Sequence, residues 1–401
     1  MKPFGELLPF EEAKRIIETN VKLTVRVEAI DIDYSLGRVL AEDIVATLNI
    51  PPYDRAAMDG YAVKAEDTSN ASQSNPKVLK IISELYAGET PQKGINTGEC
   101  IQIATGAMMP EGADAVVKVE DTKAENGKVK VFKPVSPKEN RAEKGEDIKE
   151  GEPVLRHGFV LDAGKIGVLA SQGISQIRAY EKPKVAIIPT GEEIGEVGQN
   201  LKQGQVYDIN SHTIASVVRG NGGTPVSFGV VGDDLEQLKT TIKEALKNDL
   251  VVISAGSSVG ERDLLSDVLQ NWGEVLFHGV RIKPGMPTLF GKINSKLIFG
   301  MPGFPTSCLV TTQLFVAPAI RKMARLSLKR MEVIKAKLSR GVPSTLGRKQ
   351  FFTVRLEGDT AIPVYKESGN ITSMSYADGY IEIAENIESV EKGEPITVTL
   401  F

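Results

Sequence analysis

The stretch from Leu250 to Pro305 constrains the fold of this chain more than any other. It opens with Leu250–Ser254, a run of apolar and β-branched residues short enough for one buried strand of a parallel sheet. The small residues of Ala255–Gly260 follow, which let the backbone turn sharply and approach a ligand, and hydroxyl groups there can hold an anion. Asp263 comes next, as a helical pattern begins. A carboxylate beside a predicted anion loop usually needs a metal ion between the two.

Strand and helix patterns alternate from Lys184 onward, which predicts a doubly wound α/β domain with a parallel sheet and right-handed crossovers. The predicted strands are Val185–Pro189, Pro225–Val231 and Leu250–Ser254, and the predicted helices are one capped by Asn210 or Ser211, Leu235–Lys247, Leu264–Trp272 and Thr306–Arg325. Residues just after such strands should meet at one carboxyl edge of the sheet, where ligands bind. These residues are Glu192 or Glu193, Asp233 or Asp234, Ser257, Asp263, Lys283 and Pro302.

Several acidic side chains would converge at that edge. They would repel one another strongly unless a cation or a basic group lay between them, and Mg²⁺ that holds phosphate oxygens is the simplest answer. Each acid could instead cap the helix that follows it, and for Asp233 and Asp234 both interpretations stay open. A functional role is favoured for Asp263 because it follows a glycine-rich loop.

Sequence motifs for other kinds of enzyme site are missing. The chain has no Walker A lysine motif and no Rossmann fingerprint, which disfavours ordinary NTP and dinucleotide sites. His157, His212 and His278 are scattered without catalytic spacing, and no G-x-S-x-G elbow accompanies them. Hydrolysis by a Ser-His triad is therefore disfavoured.

The rest of the chain is rich in predicted strands. Short strands broken by glycine and charge predict an inserted β-rich module at Val78–Phe132, and Met331–Phe401 fits a small β-barrel or sandwich. Asp59 lies in a predicted tight turn and could present its carboxylate to a ligand, although a surface hairpin is the preferred explanation from these residues alone. Thr105 could offer its hydroxyl and backbone to a phosphate, or could merely close its turn.

Composition limits the partners of the protein. A length of 401 residues predicts three or four domains. The formal net charge of −4 argues against a general nucleic-acid or membrane-surface binder, and no stretch is apolar for long enough to span a bilayer or act as a signal peptide. Cys100 and Cys308 are the two cysteines, without metal-ligand spacing, which predicts a reducing, cytoplasmic setting.

Taken together, these stretches resemble the MoeA family, the molybdopterin molybdotransferases, which includes the C-terminal domain of gephyrin. The likeness covers essentially the whole chain. The segments that carry it are Asp54–Ala62, Thr105–Val117, Thr190–Glu193, Ser254–Gly260 with Asp263 after it, Lys283–Gly285 and Pro302–Pro305.

The resemblance implies an elongated, four-domain homodimer with a shared active site. Its domains would be a mixed α/β N-terminal domain at 1–47 and 140–180, an inserted β-rich domain at 48–139, a molybdopterin-binding α/β domain at 181–328 and a C-terminal β-barrel at 329–401. The implied activity is ligation of molybdate or tungstate to adenylylated molybdopterin, with Mg²⁺ and with release of AMP. A molybdopterin adenylyltransferase is implied as a partner.

The resemblance also implies roles for individual residues. Asp263, Glu193 and Asp233 would hold Mg²⁺ and the pyrophosphate, while Asp59 and Thr105 would reach in from the partner subunit. Asp263, Asp59, Thr105 and Glu193 would be catalytic. The residues expected to bind substrate are Gly256, Ser257, Ser258, Gly260, Lys283, Pro302, Pro305, Arg348 and Ser373, of which Ser257, Ser258 and Lys283 would cradle phosphate and the last two would lie near the oxyanion.

Several positions depart from the family pattern, mainly by losing polar or cationic groups. They are Ala56, Ala255, Ser257, Gly279, Met286 and Phe304. Losing ammonium groups should weaken the binding of a dianion, so oxyanion binding should depend more on Lys283, Arg281, Arg348 and Ser373. A noncatalytic pterin-binding or scaffold protein and a molybdopterin adenylyltransferase are the rival functions, and nothing in the residues chooses between molybdate and tungstate.

Overall fold

A computed structural model describes residues 6–254, 264–366 and 369–401 of the chain. The chain forms two compact units. The large unit comprises Met1–Glu28, Gly37–Val39 and Ala179–Phe401, and the small unit comprises Ala29–Leu36 and Leu40–Arg178. No helix in the three described ranges is long and apolar enough to cross a membrane. The division into four domains stays a prediction.

Helices occur in both units. In chain order they are α1 (Phe10–Asn20), α2 (Ala163–Ser171), α3 (Asn210–Gly220), α4 (Leu235–Ala245), α5 (Leu264–Trp272), α6 (Pro305–Thr311), α7 (Ala317–Met323) and α8 (Thr372–Ser375). A π-helical turn at Thr312–Val316 joins α6 to α7. Helix α1 buries Phe10, Ala13 and Ile17 at helical spacing and has acidic residues in its first turn.

The first twelve strands lie between residues 27 and 180. They are β1 (Val27–Asp31), β2 (Ile44–Val45), β3 (Arg55–Ala56), β4 (Gly60–Val63), β5 (Lys77–Leu85), β6 (Glu99–Ile103), β7 (Ala115–Lys118), β8 (Thr122–Glu125), β9 (Lys128–Val131), β10 (Arg141–Ala142), β11 (Pro153–Leu155) and β12 (Gln176–Tyr180).

The small unit is built around a six-stranded sheet with the strand order β7-β4-β6-β5-β9-β8. Side chains alternate between its faces, so Tyr61 and Val63 join one apolar core while Ala62 and Ile103 join another. The β-rich character predicted for Val78–Phe132 is confirmed by strands β5 to β9. Strand β4 runs antiparallel to β6, which brings the start of β4 beside the end of β6.

The other strands belong to the large unit. They are β13 (Lys184–Pro189), β14 (Ile194–Gly195), β15 (Val206–Tyr207), β16 (Thr224–Ser227), β17 (Leu250–Ser254), β18 (Glu274–His278), β19 (Ile282–Lys283), β20 (Leu289–Ile293), β21 (Lys296–Met301), β22 (Val333–Leu338), β23 (Val342–Pro343), β24 (Lys349–Glu357), β25 (Thr360–Pro363), β26 (Gly379–Ile383), β27 (Ser389–Val390) and β28 (Pro395–Leu400).

The large unit contains the predicted doubly wound sheet. Its strand order is β16-β13-β17-β21-β20-β18, in which the first four strands are parallel and β20 runs antiparallel to both of its neighbours. Alternate residues of each buried strand face opposite cores. Val252 of β17 packs in the core that contains Ile214 of α3, while Ile253 packs in the core that contains Ile242 of α4. Helices therefore cover both faces, as the alternating pattern predicts.

Some predicted boundaries and caps differ in the structure. Strand β16 ends at Ser227 rather than Val231, and Val231 forms an isolated parallel bridge with Thr190. Neither Asn210 nor Ser211 caps α3, since the backbone N–H of Ser211 donates to the carboxylate of Asp208 at 3.0 Å. Asp234 caps helix α4, which is one of the two interpretations that the sequence leaves open. Its carboxylate accepts a hydrogen bond from the N–H of Gln237 at 2.8 Å.

The C-terminal segment forms a closed barrel. Its strands follow the order β24-β25-β22-β28-β26, and pairing of β26 with β24 closes the ring. Apolar side chains that alternate along these strands, among them Val354 and Val398, fill its core. The short strand β19 pairs with β24, so that Lys283 lies opposite Gln350. The barrel is thereby attached directly to the loop that carries Lys283.

Candidate functional site

A cavity of about 930 Å³ opens at the carboxyl edge of the doubly wound sheet. Its wall combines the loops after β13, β19 and β21, the last residue of β17, the start of α3, and residues of the barrel. The lining residues are Pro189, Thr190, Glu193, Ile194, Val206–Asn210, Ser254, Ile282–Pro287, Pro302–Pro305, Ser307, Arg348, Tyr365 and Gly369. Of the positions predicted to converge at this edge, Glu193, Lys283 and Pro302 line the cavity.

The cavity contains some of the predicted site residues and not others. Those that line it are Glu193, Lys283, Pro302, Pro305 and Arg348. Asp233 and Ser373 do not line it. The predictions for Gly256, Ser257, Ser258, Gly260 and Asp263 fall outside the described residues.

Two cationic side chains in the cavity wall lack a carboxylate partner within the described residues. Lys283 donates from Nζ to the hydroxyl oxygen of Thr345 at 2.9 Å, and the described part of the chain gives it no ion pair. Arg348 is half-buried and makes no hydrogen bond or ion pair with described residues. Lysine and arginine that are left unneutralised in a concave site bind phosphate or another oxyanion well.

Arg281 lies near this group but is already engaged. It is half-buried, and its Nη1 lies 4.0 Å from the carboxylate of Glu385. Its Nε is buried without a partner in the described residues. Because Arg281 does not line the cavity, we assign the principal positive charge of the wall to Lys283 and Arg348.

The turn that follows Lys283 requires glycine at position 285. Gly285 has a φ of +108°, and a Cβ atom there would lie 2.1 Å from Cγ2 of Thr311. Both the backbone conformation and the close approach of α6 therefore exclude a side chain. The turn holds Lys283, Met286 and Pro287 in the cavity wall.

Replacing Gly285 with alanine should destabilise the large unit. We expect a loss of about 2–4 kcal/mol of unfolding free energy, from backbone strain and from overlap with Thr311. Gly347→Ala is the matched control, since Gly347 also has a positive φ of +77° but open space around it. Thermal or urea unfolding of both variants would separate backbone strain from overlap with Thr311. Equal losses of unfolding free energy would show that the overlap with Thr311 contributes nothing.

Glu193 and Asp233 follow adjacent strands. The N–H of Gly191 donates to the carbonyl oxygen of Val231 at 3.0 Å, so the loops after β13 and β16 run side by side. Both acidic side chains are exposed. Asp234 caps helix α4. The neighbouring Asp233 side chain makes no hydrogen bond with the described residues. Within 6–254, 264–366 and 369–401 no three acidic, histidine or cysteine side chains are grouped closely enough to hold a metal ion.

Ser373 lies behind the cavity rather than in its wall. It is fully buried, and its hydroxyl donates to the carbonyl oxygen of Asn370 at 2.8 Å. The hydroxyl also lies 3.2 Å from that of Thr306, the second residue of α6. In this conformation Ser373 helps to hold the barrel loop against the Pro302–Pro305 turn.

A second group of predicted residues meets on the small unit. Antiparallel pairing of β4 with β6 brings Asp59 beside Thr105, and Oδ1 of Asp59 accepts from the N–H of Thr105 at 2.6 Å and from its hydroxyl at 2.8 Å. These two hydrogen bonds lower the pKa of the Asp59 carboxyl, which keeps it ionised. Asp59 also lines a cleft of about 380 Å³ that includes Glu84 and Tyr86.

The departures from the family pattern have different structural settings. Phe304 and Met286 both line the large cavity, and Phe304 is 64 % exposed. Ala56 is buried in a core of the small unit, and Gly279 has a φ of +98° and does not line the cavity. Among the departures that lie in the described residues, only Phe304 and Met286 therefore change the cavity surface, and both make it more apolar.

Tyr365, Thr345 and Asn210 are among the residues of the site that the sequence does not predict as ligand contacts. Tyr365 lines the cavity and Thr345 binds Lys283, and both come from the barrel, where no local sequence signal marks them. Asn210 was interpreted as a helix cap, whereas its side chain belongs to the cavity wall. A polar residue at a helix start that is not needed as a cap is the only signal that could have found it.

Family models match almost the entire chain. The model described as "MoeA N-terminal region (domain I and II)" matches residues 8–173, the model described as "Probable molybdopterin binding domain" matches 186–322, and "MoeA C-terminal region (domain IV)" matches 335–401. The protein is thus of the multidomain class in which this α/β domain stands between a two-domain N-terminal region and a C-terminal barrel.

Individual relatives agree with the family models. A molybdopterin molybdenumtransferase of Staphylococcus epidermidis is 33 % identical over 97 % of this chain and 94 % of its own length. The crystal structure of a molybdopterin biosynthesis MoeA protein from Pyrococcus horikosii is 41 % identical, with a TM-score of 0.85 over 98 % of this chain and 99 % of the other. The chain belongs to the MoeA family.

Proposed function

We propose that this protein is a molybdopterin molybdotransferase, which joins molybdate or tungstate to the dithiolene of adenylylated molybdopterin and releases AMP. The observation that carries the proposal is the cavity at the carboxyl edge, where Lys283 and Arg348 have no carboxylate partner among described residues. Both the adenylylated substrate and the oxyanion are multiply charged anions. The named activity of the Staphylococcus epidermidis relative supports the same reaction.

The described residues would act by binding and orienting charge. The ammonium of Lys283 and the guanidinium of Arg348 can hold phosphate and oxyanion oxygens and stabilise the charge that develops as AMP leaves. Glycine and proline turns at Lys283–Gly285 and Pro302–Pro305 keep the wall rigid, which reduces the cost of positioning the reactants. Phe304 and Met286 would exclude water from one side of the cavity.

We propose that Mg²⁺ takes part in the reaction and that Glu193, Asp233 and Asp263 would hold it. Two of these acids follow adjacent strands and are exposed, and the third lies outside the described residues. The described donors alone do not form a metal site, so we derive no reaction step through the ion. When bound, Mg²⁺ would neutralise phosphate oxygens.

We also propose that the active enzyme is a homodimer with a shared site and that it receives its substrate from a molybdopterin adenylyltransferase. The Asp59–Thr105 pair supports a shared site. Its ionised carboxylate is exposed and does not contribute to the apolar cores of the small unit. A hydrogen-bonded carboxylate at the rim of a cleft is typical of a ligand-binding position. A cytoplasmic location stays a prediction.

The deciding experiment mixes purified protein, adenylylated molybdopterin, Mg²⁺ and either molybdate or tungstate, and measures AMP. We expect oxyanion-dependent AMP release, and comparison of the two oxyanions would show which is used. Substrate binding without AMP release with either oxyanion would favour the noncatalytic pterin-binding protein. Consumption of ATP with free molybdopterin would favour the adenylyltransferase instead.

A further inference from the structure

Phe304 lines the large cavity with most of its side chain exposed. It is 64 % exposed, more than the other two aromatic residues of the described wall, Tyr207 and Tyr365. The ring of Tyr365 packs against that of Phe352, with 4.7 Å between the ring centroids. Phe304 has no such aromatic partner among the described residues. A large apolar ring that is left to water in the wall of a ligand site indicates a contact with the ligand.

The backbone is fixed on both sides of this ring. Phe304 is the N-cap residue of α6, its carbonyl oxygen accepts from the N–H of Cys308 at 2.8 Å, and Pro305 begins the helix. On the other side, the carbonyl oxygen of Gly303 accepts from Nδ2 of Asn210 at 2.8 Å. The turn therefore presents the ring at a fixed place, and a ligand that contacts it need not order the backbone first.

One edge of the ring is supported by the barrel. A Cβ atom built on Gly369 would lie 3.8 Å from Cδ1 of Phe304, so this edge of the ring lies beside a residue that has no side chain. Met286 and Pro287 line the same cavity, and neither side chain has a hydrogen-bond donor. This part of the wall therefore suits an uncharged, apolar surface of a ligand.

The proposed substrate contains two groups of that kind. Adenine and the aminopyrimidinone ring of the pterin are flat heterocycles, and flat heterocycles stack on aromatic side chains through their π faces. Phosphate, molybdate and tungstate have no such face, and they suit the cations Lys283 and Arg348 instead. An exposed aromatic ring without a stacking partner thus fits the uncharged part of the substrate.

We propose that Phe304 stacks on a flat heterocycle of adenylylated molybdopterin and is a specificity-determining residue of the site. This inference rests on the proposed function and deepens it. Adenine and the pterin share the chemistry that Phe304 recognises, and the experiment below distinguishes between them. The stacking contact favours an anion that carries a ring over an inorganic anion, because both kinds of ligand can bind the cations but only the first can cover Phe304.

The first arm of the test measures dissociation constants for AMP, molybdopterin and inorganic pyrophosphate by calorimetric titration. The proteins are wild type, Phe304→Leu, which keeps an apolar side chain without a ring, and Phe304→Tyr, which keeps the ring. We expect Phe304→Leu to bind a ring-bearing ligand about tenfold more weakly and pyrophosphate unchanged, while Phe304→Tyr binds like wild type. Phe159→Leu is the matched control, since Phe159 is 41 % exposed and does not line the cavity.

The second arm detects stacking directly through tryptophan fluorescence. Trp272 is the one tryptophan of the chain and does not line the cavity, so the probe is Phe304→Trp combined with Trp272→Phe. A heterocycle that stacks on the indole quenches its emission, whereas pyrophosphate leaves the emission unchanged. Phe159→Trp combined with Trp272→Phe corrects for light that the pterin absorbs. We expect quenching by the ligand whose binding Phe304→Leu weakens.

The outcomes separate this inference from the proposed function. Weaker binding and quenching with AMP support stacking on adenine, and the same results with molybdopterin support stacking on the pterin. If Phe304→Leu binds both ligands as wild type does, or if Phe304→Tyr is as weak as Phe304→Leu, the ring has no role and the stacking proposal is wrong. A loss that extends to pyrophosphate overturns it as well. The proposed function itself fails if wild type binds neither AMP nor molybdopterin.

Discussion

Replacing Lys283 with methionine should lower the rate of AMP release by about 100-fold or more. Methionine has nearly the same length and apolar stem, so the change removes the ammonium group while keeping the volume of the side chain. The side chain of Lys283 lines the cavity and has one described hydrogen bond, to Thr345, and no described carboxylate partner, so its charge is available to a ligand. Activity with saturating oxyanion and substrate measures the effect.

Lys292→Met is the control for this variant. Lys292 lies in β20 of the doubly wound sheet, its Nζ lies 2.9 Å from the carboxylate of Glu274, and it does not line the cavity. It should retain nearly full activity. A smaller, graded effect is expected for Thr345→Val, which removes the oxygen that orients the ammonium, and Thr345→Ser should restore the activity. If Lys283→Met remained as active as Lys292→Met, the cavity would not be the reaction site.

Mixing two inactive variants should restore about a quarter of the wild-type activity if the site is shared between subunits. One variant is Asp59→Ala, which loses the carboxylate held by Thr105, and the other is Lys283→Met. Random exchange of subunits makes half of the dimers hybrid. Each hybrid has one intact site and one doubly defective site, which gives the expected fraction.

Subunit exchange must be demonstrated independently, for instance with differently tagged chains. Asp59→Ala mixed with Thr105→Ala is the matched negative control, because both changes affect the same hydrogen-bonded pair and no hybrid site is complete. Recovery in this control would point to an artefact of mixing. Proven exchange without recovery in the Asp59→Ala and Lys283→Met mixture would show that each subunit contains its own complete site.

The sequence alone predicted three of the six strands of the sheet, β13, β16 and β17, and the edge that carries the cavity. Buried parallel strands are nearly continuous apolar runs, and such runs followed by glycine-rich or proline-rich turns indicated β13, β17 and the turns at Lys283–Gly285 and Pro302–Pro305. These signals are local, since each depends on a few neighbouring residues. Burial of Val185–Pro189 and Leu250–Ser254 confirms them.

Only the tertiary structure decided which side chains meet. Thr345 and Arg348 come to Lys283 because β19 pairs with β24, a contact between segments more than sixty residues apart. Asp59 and Thr105 meet because β4 and β6 are antiparallel neighbours. The turn after β21 supplies the carbonyl of Gly303 that orients the amide of Asn210. Each of these contacts depends on strand order and register, which residue patterns along one segment do not contain.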